Sequence, residues 1–275
     1  MTIAIVTGAS RGLGRLISRS LADRGIDTIL VGRDRDRLLR LASEIKQACS
    51  AVRVAPVQAD LSCSSTVERI KSVAAAFGTV DILVNNAAIQ GPIGRAWDVS
   101  PDDVEETFRV NFTTPSALCR VFIPGMIAKG AGWIVNISGG GASAPRPMFS
   151  AYGAAKTALV RWGETVAQEC AELGIRINSV APGPFRSGMT EAVFRSSHTA
   201  GEKEAMLAER LLQNDSGAAE RAAELVTYLV AGEGRDITGK LISAVWDDWQ
   251  HLHESPELGE LYTLRRIVPE MAAAG

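Results

Sequence analysis

A chain of 275 residues that is 46% hydrophobic and 22% charged has the composition of a globular protein with one substantial core. Its formal net charge is only -2 and the charges are mixed along the chain, which argues against a nucleic-acid surface or a polybasic membrane patch. The chain has no apolar stretch of about 18 residues and no basic region ahead of an apolar segment at its start, so we expect a cytoplasmic protein that handles small molecules.

The first predicted element is a strand at residues 2–6, and a glycine-rich segment leads from it into a helix at residues 12–24. Strand, glycine turn and helix in this order form phosphate-binding loops, because free N–H groups at the helix start face the phosphate. We expect Gly8 to allow the turn, Gly12 to admit a pyrophosphate, and Gly14 to allow close packing. The segment lacks the Gly-Lys-Ser/Thr ending of a nucleoside triphosphatase loop. An ordinary surface turn is the alternative interpretation.

The end of the second predicted strand, residues 27–31, carries the signal for cofactor choice. An acidic side chain there would accept hydrogen bonds from the ribose of NAD, whereas a cation would pair with the extra phosphate of NADP. Gly32 and Arg33 follow this strand, and Arg11 in the glycine segment adds a second cation. The sequence therefore predicts NADP (NADPH) rather than NAD. In the alternative, both arginines are solvated and Asp34 turns inward to the ribose.

Strands and helices alternate along the rest of the chain. Further strands are predicted at residues 52–57, 80–84, 132–137, 175–180 and 241–245. Further helices are predicted at residues 35–49, 63–77, 101–128 with a break near Thr114-Pro115, 151–173 and 218–231. Strands separated by helices pair in parallel through right-handed crossovers, which predicts a doubly wound α/β sheet in three layers. The ligand crevice of such a sheet lies at the carboxyl ends of its strands.

Tyr152 and Lys156 stand four residues apart in the helix predicted at 151–173, so their side chains share one face. A phenol with a pKa of about 10 is a weak acid near neutrality, but a nearby cation favours the phenolate and lowers that pKa. The two residues are therefore a candidate pair for proton transfer. An ordinary exposed helix is the alternative, because Tyr-x-x-x-Lys spacing arises often by chance.

Together with the glycine segment and this pair, five further motifs make the sequence resemble the short-chain dehydrogenase/reductase family from residue 2 to about residue 245. They are Asp60-Leu61, Asn85-Asn-Ala-Ala88, Asn111, Ile134-Val-Asn-Ile-Ser138 and Ile177-Asn-Ser-Val-Ala-Pro-Gly183. The resemblance implies a single Rossmann-type domain over residues 1–245 and a homodimer or homotetramer formed through the helices at 101–128 and 151–173.

Residues 246–275 are then a C-terminal extension, packed on the domain or on a neighbouring subunit. Trp246 and Trp249 could cover the substrate mouth or pack against that neighbour. No metal site is expected, since His251 and His253 with the two aspartates before them match no ligand pattern.

The resemblance assigns Asp60 to the adenine edge of the cofactor, Asn86 to the wall beside the ribose and Ser187 to the nicotinamide amide. Asp60 as a turn former and Asn86 as a strand-end cap are the alternatives. The complete predicted cofactor site is Gly8, Ser10, Arg11, Gly12, Leu13, Gly14, Arg33, Asp60, Leu61, Asn86, Ala87, Tyr152, Lys156, Pro182, Gly183 and Ser187.

The implied reaction is hydride transfer between NADP(H) and a carbonyl or secondary alcohol, with Tyr152 as the acid/base. Lys156 is implied to lower the pKa of Tyr152 and to hold the nicotinamide ribose. Asn111 is implied to support a water that links Lys156 to solvent. Alternatively, it is a helix-interior Asn beside a break that exposes a backbone carbonyl.

The serine that polarises the carbonyl is where the chain departs from the family pattern. Relatives place it thirteen residues before the tyrosine, where this chain has Gly139. Ser138 could turn into the site on the flexible glycines at 139–141 and is the predicted catalytic serine. Ser143 is an alternative, and so is the absence of any serine role. If no serine has this role, the alternative function is that of a sensor or scaffold that binds the cofactor without turnover.

Residues 184–194 are predicted to be a loop. Together with Pro145, Met148 and Phe149, which precede the catalytic helix, this loop is expected to form an apolar lid and wall. They favour a hydrophobic ketone or secondary alcohol as substrate. The alternative is that Met189 and Phe194 only pack a helix. A 3-oxoacyl-thioester reductase is the alternative enzyme, although no basic run near the lid suggests a dock for a carrier protein.

Overall fold

The computed structural model describes residues 1–255, 258, 259 and 261–265. Its strands are β1 (Ile3–Thr7), β2 (Asp27–Gly32), β3 (Val54–Gln58), β4 (Ile82–Asn85), β5 (Gly132–Ile137), β6 (Ile175–Ala181) and β7 (Leu241–Ser243). In the described part of the chain they form one parallel sheet in the order β3-β2-β1-β4-β5-β6-β7. The order reverses between β1 and β4, so the carboxyl ends of these two strands open the crevice in which such sheets bind ligands. The predicted doubly wound α/β sheet is confirmed.

Helices cover both faces of the sheet. They are α1 (Gly12–Asp23), α2 (Arg35–Ala48), α3 (Thr66–Phe77), α4 (Pro101–Phe108), α5 (Thr114–Lys129), α6 (Ser150–Glu169), α7 (Gly188–Arg195), α8 (Ser197–Ala200), α9 (Glu202–Gln213) and α10 (Ala218–Ala231). Short 3-10 turns occupy Ala171–Leu173, Glu233–Asp236 and Trp249–Glu254. None of the helices in the described part of the chain combines the length and apolar character needed to cross a bilayer.

Strands β1, β2 and β4 in the middle of the sheet are buried along their whole length, as in a parallel sheet flanked by two helical layers. Successive residues of β1 alternate between two cores: Ala4 and Val6 join the core that includes α1 and α10, and Ile3 and Ile5 join the core that includes α3 and α5. This alternation follows from the period of two in a strand. It produces the three layers expected from the sequence.

The helix predicted at 101–128 is interrupted before the expected break at Thr114-Pro115. Residues Arg109–Thr113 form a π-helical turn, and the N–H of Thr114 donates to the carbonyl of Arg109. Pro115 lies in the first turn of α5 and has no N–H with which to reach the carbonyl of Asn111, four residues earlier. The proline therefore explains why the α-helical ladder breaks around Asn111.

The segment after β6, predicted as a loop, is helical over α7, α8 and α9. The Ser187 side chain caps α7, because its Oγ accepts a hydrogen bond from the N–H of Thr190 at 3.2 Å. Helix α9 buries Ala208 and Leu211. The prediction of a loop was wrong because these helices are short and depend on a side-chain cap and on packing over the cavity.

Of the extension from residue 246, the structure describes residues 246–255, 258, 259 and 261–265, and the remainder of the predicted range lies outside the described residues. Trp249 and Leu252 are buried in the core beside α10. The N–H of Leu241 in β7 donates to the carbonyl of Tyr262 at 2.6 Å, so the extension covers the outer edge of the sheet. Trp249 thus packs within its own chain and does not cover the substrate mouth.

Candidate active site

A cavity of about 540 Å³ opens at the carboxyl ends of β4, β5 and β6. The strands bring together residues that are far apart in the sequence, because all their carboxyl ends lie at one edge of the sheet. The predicted site residues that line this cavity are Leu13, Asn86, Ser138, Tyr152, Lys156, Pro182, Gly183 and Ser187.

The glycine segment between β1 and α1 has the close approaches that require glycine. Gly8 and Gly12 have positive φ angles of 68° and 53°, which favour glycine. A Cβ at Gly8 would lie 2.8 Å from Nδ2 of Asn86, and one at Gly14 would overlap the carbonyl of Gly8. Arg11 is the N-cap residue before α1, and its side chain makes no capping hydrogen bond, so that side chain does not occupy the N–H groups that an anion would bind.

Thr7 joins the ends of the two central strands, a role that the sequence analysis missed. Its Oγ1 donates to the carbonyl of Val84 at 3.2 Å and accepts from the N–H groups of Asn86 and Ala87 at 3.0 Å each. Asn86 Nδ2 donates in turn to the carbonyl of Thr7 at 2.8 Å. Asn86 therefore acts as a strand-end cap and at the same time lines the cavity, while Ala87 is held through its main chain.

The glycine that ends β2 is closely packed against the segment between β1 and α1. A Cβ at Gly32 would lie 3.3 Å from Oγ of Ser10. Asp34 caps α2, because its Oδ1 accepts from the N–H of Arg37 at 3.0 Å and its Oδ2 pairs with Nε of Arg37 at 3.1 Å. Asp34 is thus engaged with its own helix and does not turn inward to a ribose, as the alternative interpretation required.

Asp60 forms a turn at the end of β3. Its Oδ1 accepts hydrogen bonds from the N–H and Oγ of Ser62 at 3.0 and 2.8 Å. Burial alone would raise the pKa of Asp60, but these hydrogen bonds and the charge of Arg33 outweigh it and hold the pKa below its usual value. The Leu61 side chain is buried in the core, and its carbonyl accepts from Thr114 Oγ1 at 2.8 Å.

Arg11 points across the crevice. A Cβ at Gly188, the first residue of α7, would lie 3.1 Å from Nη1 of Arg11. The guanidinium therefore packs at the start of the helix that Ser187 caps. The Arg11 side chain therefore reaches from the glycine segment to the first residue of α7.

Tyr152 and Lys156 are buried in the first turns of α6, with 6% and 1% of their surfaces exposed. Lys156 Nζ donates to the carbonyl of Ile137 at 2.7 Å and lies 6.0 Å from the centroid of the Tyr152 ring. Burial raises the pKa of Tyr152 to about 12, opposed by the charge of Arg146, and burial lowers the pKa of Lys156 to about 8. The carbonyl of Ile137 holds the Lys156 ammonium in this position, and a lowering of the Tyr152 pKa by Lys156 stays a prediction.

Asn111 is fully buried in the π-helical turn and outside the cavity lining. Its Oδ1 accepts from the N–H of Ile89 at 3.0 Å, and its Nδ2 donates to the carbonyl of Ile89 at 2.9 Å. The side chain thus clamps the segment after β4. The backbone carbonyl of Asn111 receives no hydrogen bond from residue 115, because Pro115 has no N–H.

The loop after β5 places a glycine against the tyrosine. A Cβ at Gly139 would overlap the Tyr152 hydroxyl and lie 3.1 Å from Cε1 of the ring. Ser138 remains bound to the sheet through its N–H, which donates to Val180 at 2.8 Å, and its buried Oγ has no hydrogen-bond partner among the described residues. Ser143 is exposed and lines the cavity. Neither serine is hydrogen-bonded to the phenol.

Apolar residues of α7 and α9 cover the cavity, together with the exposed Trp246. From α7 and α9 the apolar lining residues are Met189, Val193, Leu207, Ala208 and Leu211. Phe194 lies outside the lining and is 44% exposed, so the helix turns it away from the cavity.

One charged pair at the cavity was not found from the sequence. Arg146, in the loop before α6, binds Glu204 in α9 through two contacts of 3.1 and 2.6 Å. Both side chains are 21% exposed. The residues are 58 positions apart, and the segment that holds Glu204 gave no helix signal.

Within residues 1–255, 258, 259 and 261–265 no group of three or more His, Cys, Asp or Glu side chains could hold a metal ion. His251 pairs with Asp248 at 3.0 Å, and Nδ1 of His253 lies 3.0 Å from the hydroxyl of Tyr228.

The family model that describes the short chain dehydrogenases matches residues 2–198. The chain is 31% identical to D-beta-hydroxybutyrate dehydrogenase of Rhizobium meliloti (strain 1021), over 87% of this chain and 95% of that protein. The NAD+-bound structure of xylitol dehydrogenase superposes with a TM-score of 0.78 at 23% identity, covering 88% of this chain and 96% of that one. A putative NAD(P)-dependent gluconate 5-dehydrogenase from Beutenbergia cavernae with bound NADP gives a TM-score of 0.75 at 28% identity, with coverages of 88% and 94%.

Proposed function

The chain belongs to the short chain dehydrogenase family of oxidoreductases, and we propose that it uses NADP(H) to interconvert a carbonyl group and a secondary alcohol of a hydrophobic small molecule. The observation that carries the proposal is the cavity at the carboxyl ends of the strands. There the buried Tyr152 and Lys156 face a space lined by the start of α1 and covered by apolar residues of α7 and α9.

The residues between β1 and α1 fit a nicotinamide dinucleotide. Glycines with positive φ angles and an α1 start without a side-chain cap are what a pyrophosphate needs for close approach to N–H groups. Gly8, Gly12, Gly14 and the Asn86 wall would hold the dinucleotide, and Ser187 at the start of α7 would meet its nicotinamide end. When bound, the nicotinamide supplies or accepts the hydride.

NADP is the cofactor that the residues after β2 favour. Gly32 leaves no carboxylate at the strand end, Arg33 is close enough to Asp60 to lower its pKa, and Asp34 is engaged in capping α2. The relatives include one bound to NAD+ and one bound to NADP, so they leave the choice between the two open.

Tyr152 is the group in the cavity that can exchange a proton with the substrate oxygen. Its neutral phenol, favoured by burial, is the form that donates during carbonyl reduction. Lys156 is positioned below the ring by the Ile137 carbonyl, and we propose that it meets the ribose. The Asn111 side chain holds the segment after β4 in place. We propose that its backbone carbonyl binds a water that connects Lys156 to solvent. Ser138 is proposed to orient the carbonyl.

The apolar cover of the cavity supports a hydrophobic ketone or secondary alcohol as substrate. A cytoplasmic location and a homodimer or homotetramer stay predictions of the sequence.

A second candidate function has one observation in its favour. Because Gly139 occupies the position of the family serine and neither Ser138 nor Ser143 bonds the phenol, the protein could bind NADP(H) as a sensor or scaffold without turnover.

One experiment separates the two. Purified protein is titrated with NADPH and NADH by fluorescence and then assayed for cofactor oxidation or reduction with hydrophobic ketones, secondary alcohols and a 3-oxoacyl thioester. Turnover of a member of this panel supports the enzyme. Tight cofactor binding without turnover across the panel contradicts it and supports the sensor.

A further inference from the structure

Arg146 connects the loop after β5 with α9 across the mouth of the cavity. Its Nε and Nη2 donate to the two carboxylate oxygens of Glu204 at 3.1 and 2.6 Å. A bidentate, half-buried pair of this kind is stronger and more directional than an exposed ion pair. The pair therefore fixes α9 against the loop that carries Gly139.

The same guanidinium packs on an aromatic ring. Its Cζ lies 3.8 Å from the centroid of Phe149, which is fully buried. The aliphatic part of Arg146 lies along the glycine run, since a Cβ at Gly141 would be 3.5 Å from Cβ of Arg146 and one at Gly140 would be 3.7 Å from its Cδ. One side chain thus contacts the cover of the cavity, the glycine run and the residue that precedes α6.

The turn from Arg146 to Phe149 leads directly into α6. The N–H of Phe149 donates to the carbonyl of Arg146 at 3.3 Å, and the carbonyl of Met148 accepts from Gly94 at 2.9 Å. Met148 has a φ of 71°, a left-handed conformation that is unfavourable for a non-glycine residue and persists only where its surroundings impose it. The turn that sets the start of the catalytic helix is therefore held at both ends.

Four charged side chains line the same cavity as Tyr152. Lys156 comes from α6 itself, Arg146 from the loop, and Lys203 and Glu204 from α9. Among the described residues, Arg146 is the one whose charge counteracts the effect of burial on Tyr152. Its position between Glu204 and Phe149 keeps that charge at a constant place.

We propose that Arg146, clamped by Glu204 and Phe149, is a positioning residue for the reaction: it holds α9 over the cavity and keeps a fixed positive charge beside the phenol of Tyr152. The proposal rests on the proposed function, since it gives Arg146 a role only where Tyr152 exchanges a proton. It predicts that the positive charge of Arg146 lowers the pKa of Tyr152 and that the negative charge of Glu204 raises it.

The test is the pH profile of kcat/KM for alcohol oxidation, which requires the phenolate and therefore rises with pH. Arg146→Gln removes the cation and leaves the anion of Glu204, so the profile should move to higher pH and the rate at a fixed pH below the pKa should fall by about three- to tenfold. Glu204→Gln leaves Arg146 uncompensated, so the profile should move to lower pH. Arg146→Lys keeps the charge without the bidentate fork and should keep the wild-type profile while KM rises.

A merely structural role gives a different result. Both glutamine variants break the same ion pair, so kcat/KM would fall in both with the profile unmoved, and that outcome would overturn the proposal. If Arg146→Gln does not fold, Glu204→Gln on the outer helix decides alone: a shift to lower pH supports the proposal and an unmoved profile overturns it. Tyr152→Phe is the control for the proposed function, because a variant as active as the wild type would contradict that function itself.

Discussion

Gly139 stands where the resemblance to the family leads us to expect a serine. The main chain there lies against the Tyr152 ring, and a serine side chain at the same position would overlap the hydroxyl unless the ring moved. Under the proposed function, the donor that orients the substrate carbonyl must therefore come from another residue. Ser138 is the nearest hydroxyl in sequence, and its buried Oγ has no partner among the described residues.

Ser138→Ala should lower turnover by about 10² to 10³, the scale of losing one donor to a developing oxyanion. Its free energy of unfolding should change little, since the variant removes a buried hydroxyl that makes no hydrogen bond with the described residues. Steady-state kinetics and thermal unfolding measure the two effects. Ser143→Ala is the matched control in the same loop. If both variants keep full activity, carbonyl polarisation must come from Tyr152 alone or from an N–H of the glycine run.

Arg33→Asp should reverse the cofactor preference. The wild type should bind NADPH more tightly than NADH because Arg33 offers a cation to the 2′-phosphate, and the aspartate would repel that phosphate and accept hydrogen bonds from a free ribose. Fluorescence titrations with both cofactors give the two dissociation constants. Equal affinities for NADPH and NADH in the wild type would contradict the assignment.

At the scale of elements, the central strands could be predicted because β1, β2 and β4 are short, largely apolar runs that are buried along their whole length. Strand β5 lies at the predicted residues 132–137, and β1 differs from its predicted range by one residue at each end. The pattern could not show α7, which begins where the Ser187 side chain supplies a cap.

Some features of the candidate site could also be predicted from the sequence, and others could not. Residues on one helix face, such as Tyr152 and Lys156, could be grouped from their spacing. The orientation of Lys156 could not, because it depends on a carbonyl of β5 that is 19 residues away. The pairing of Arg146 with Glu204 depends on the placement of α9, which only the folded chain determines.

The extension after β7 gives a prediction at this scale. Trp249→Ala should cost about 3 to 5 kcal/mol of unfolding free energy, because it removes a large side chain that is 8% exposed in the core beside α10. Trp246→Ala is the matched control: its side chain is 72% exposed, so stability should change little. Trp246 lines the cavity, so that variant should instead raise KM for a hydrophobic substrate. Chemical denaturation of both variants checks the comparison, and equal stabilities would contradict the burial of Trp249.

At the scale of the whole molecule, the cavity places an ammonium in the protein interior at the expense of stability. Burial lowers the pKa of Lys156 to about 8, so below that pH the charged group is less favourable in the folded than in the unfolded chain. As pH rises from 8 toward 10.5, the folded state releases this proton first and the penalty falls.

Lys156→Met should therefore raise the free energy of unfolding at pH 7 by about 1 to 3 kcal/mol while abolishing turnover. The gain should shrink as the pH is raised through the range 8 to 10.5, because the wild-type lysine is then neutral in the folded state. Urea denaturation at several pH values measures this. A variant that is less stable than the wild type at pH 7 would show that the hydrogen bond to Ile137 outweighs the desolvation of the ammonium.

The central claim is that Tyr152 exchanges the proton, and Tyr152→Phe tests it most directly. The substitution removes one hydroxyl from a buried ring, so the fold and the affinity for NADPH in a fluorescence titration should stay as in the wild type. Turnover of the substrate identified in the panel should fall by about 10² to 10⁴, the usual scale for a lost general acid/base. A phenylalanine variant that binds NADPH normally and turns over at the wild-type rate would contradict the account.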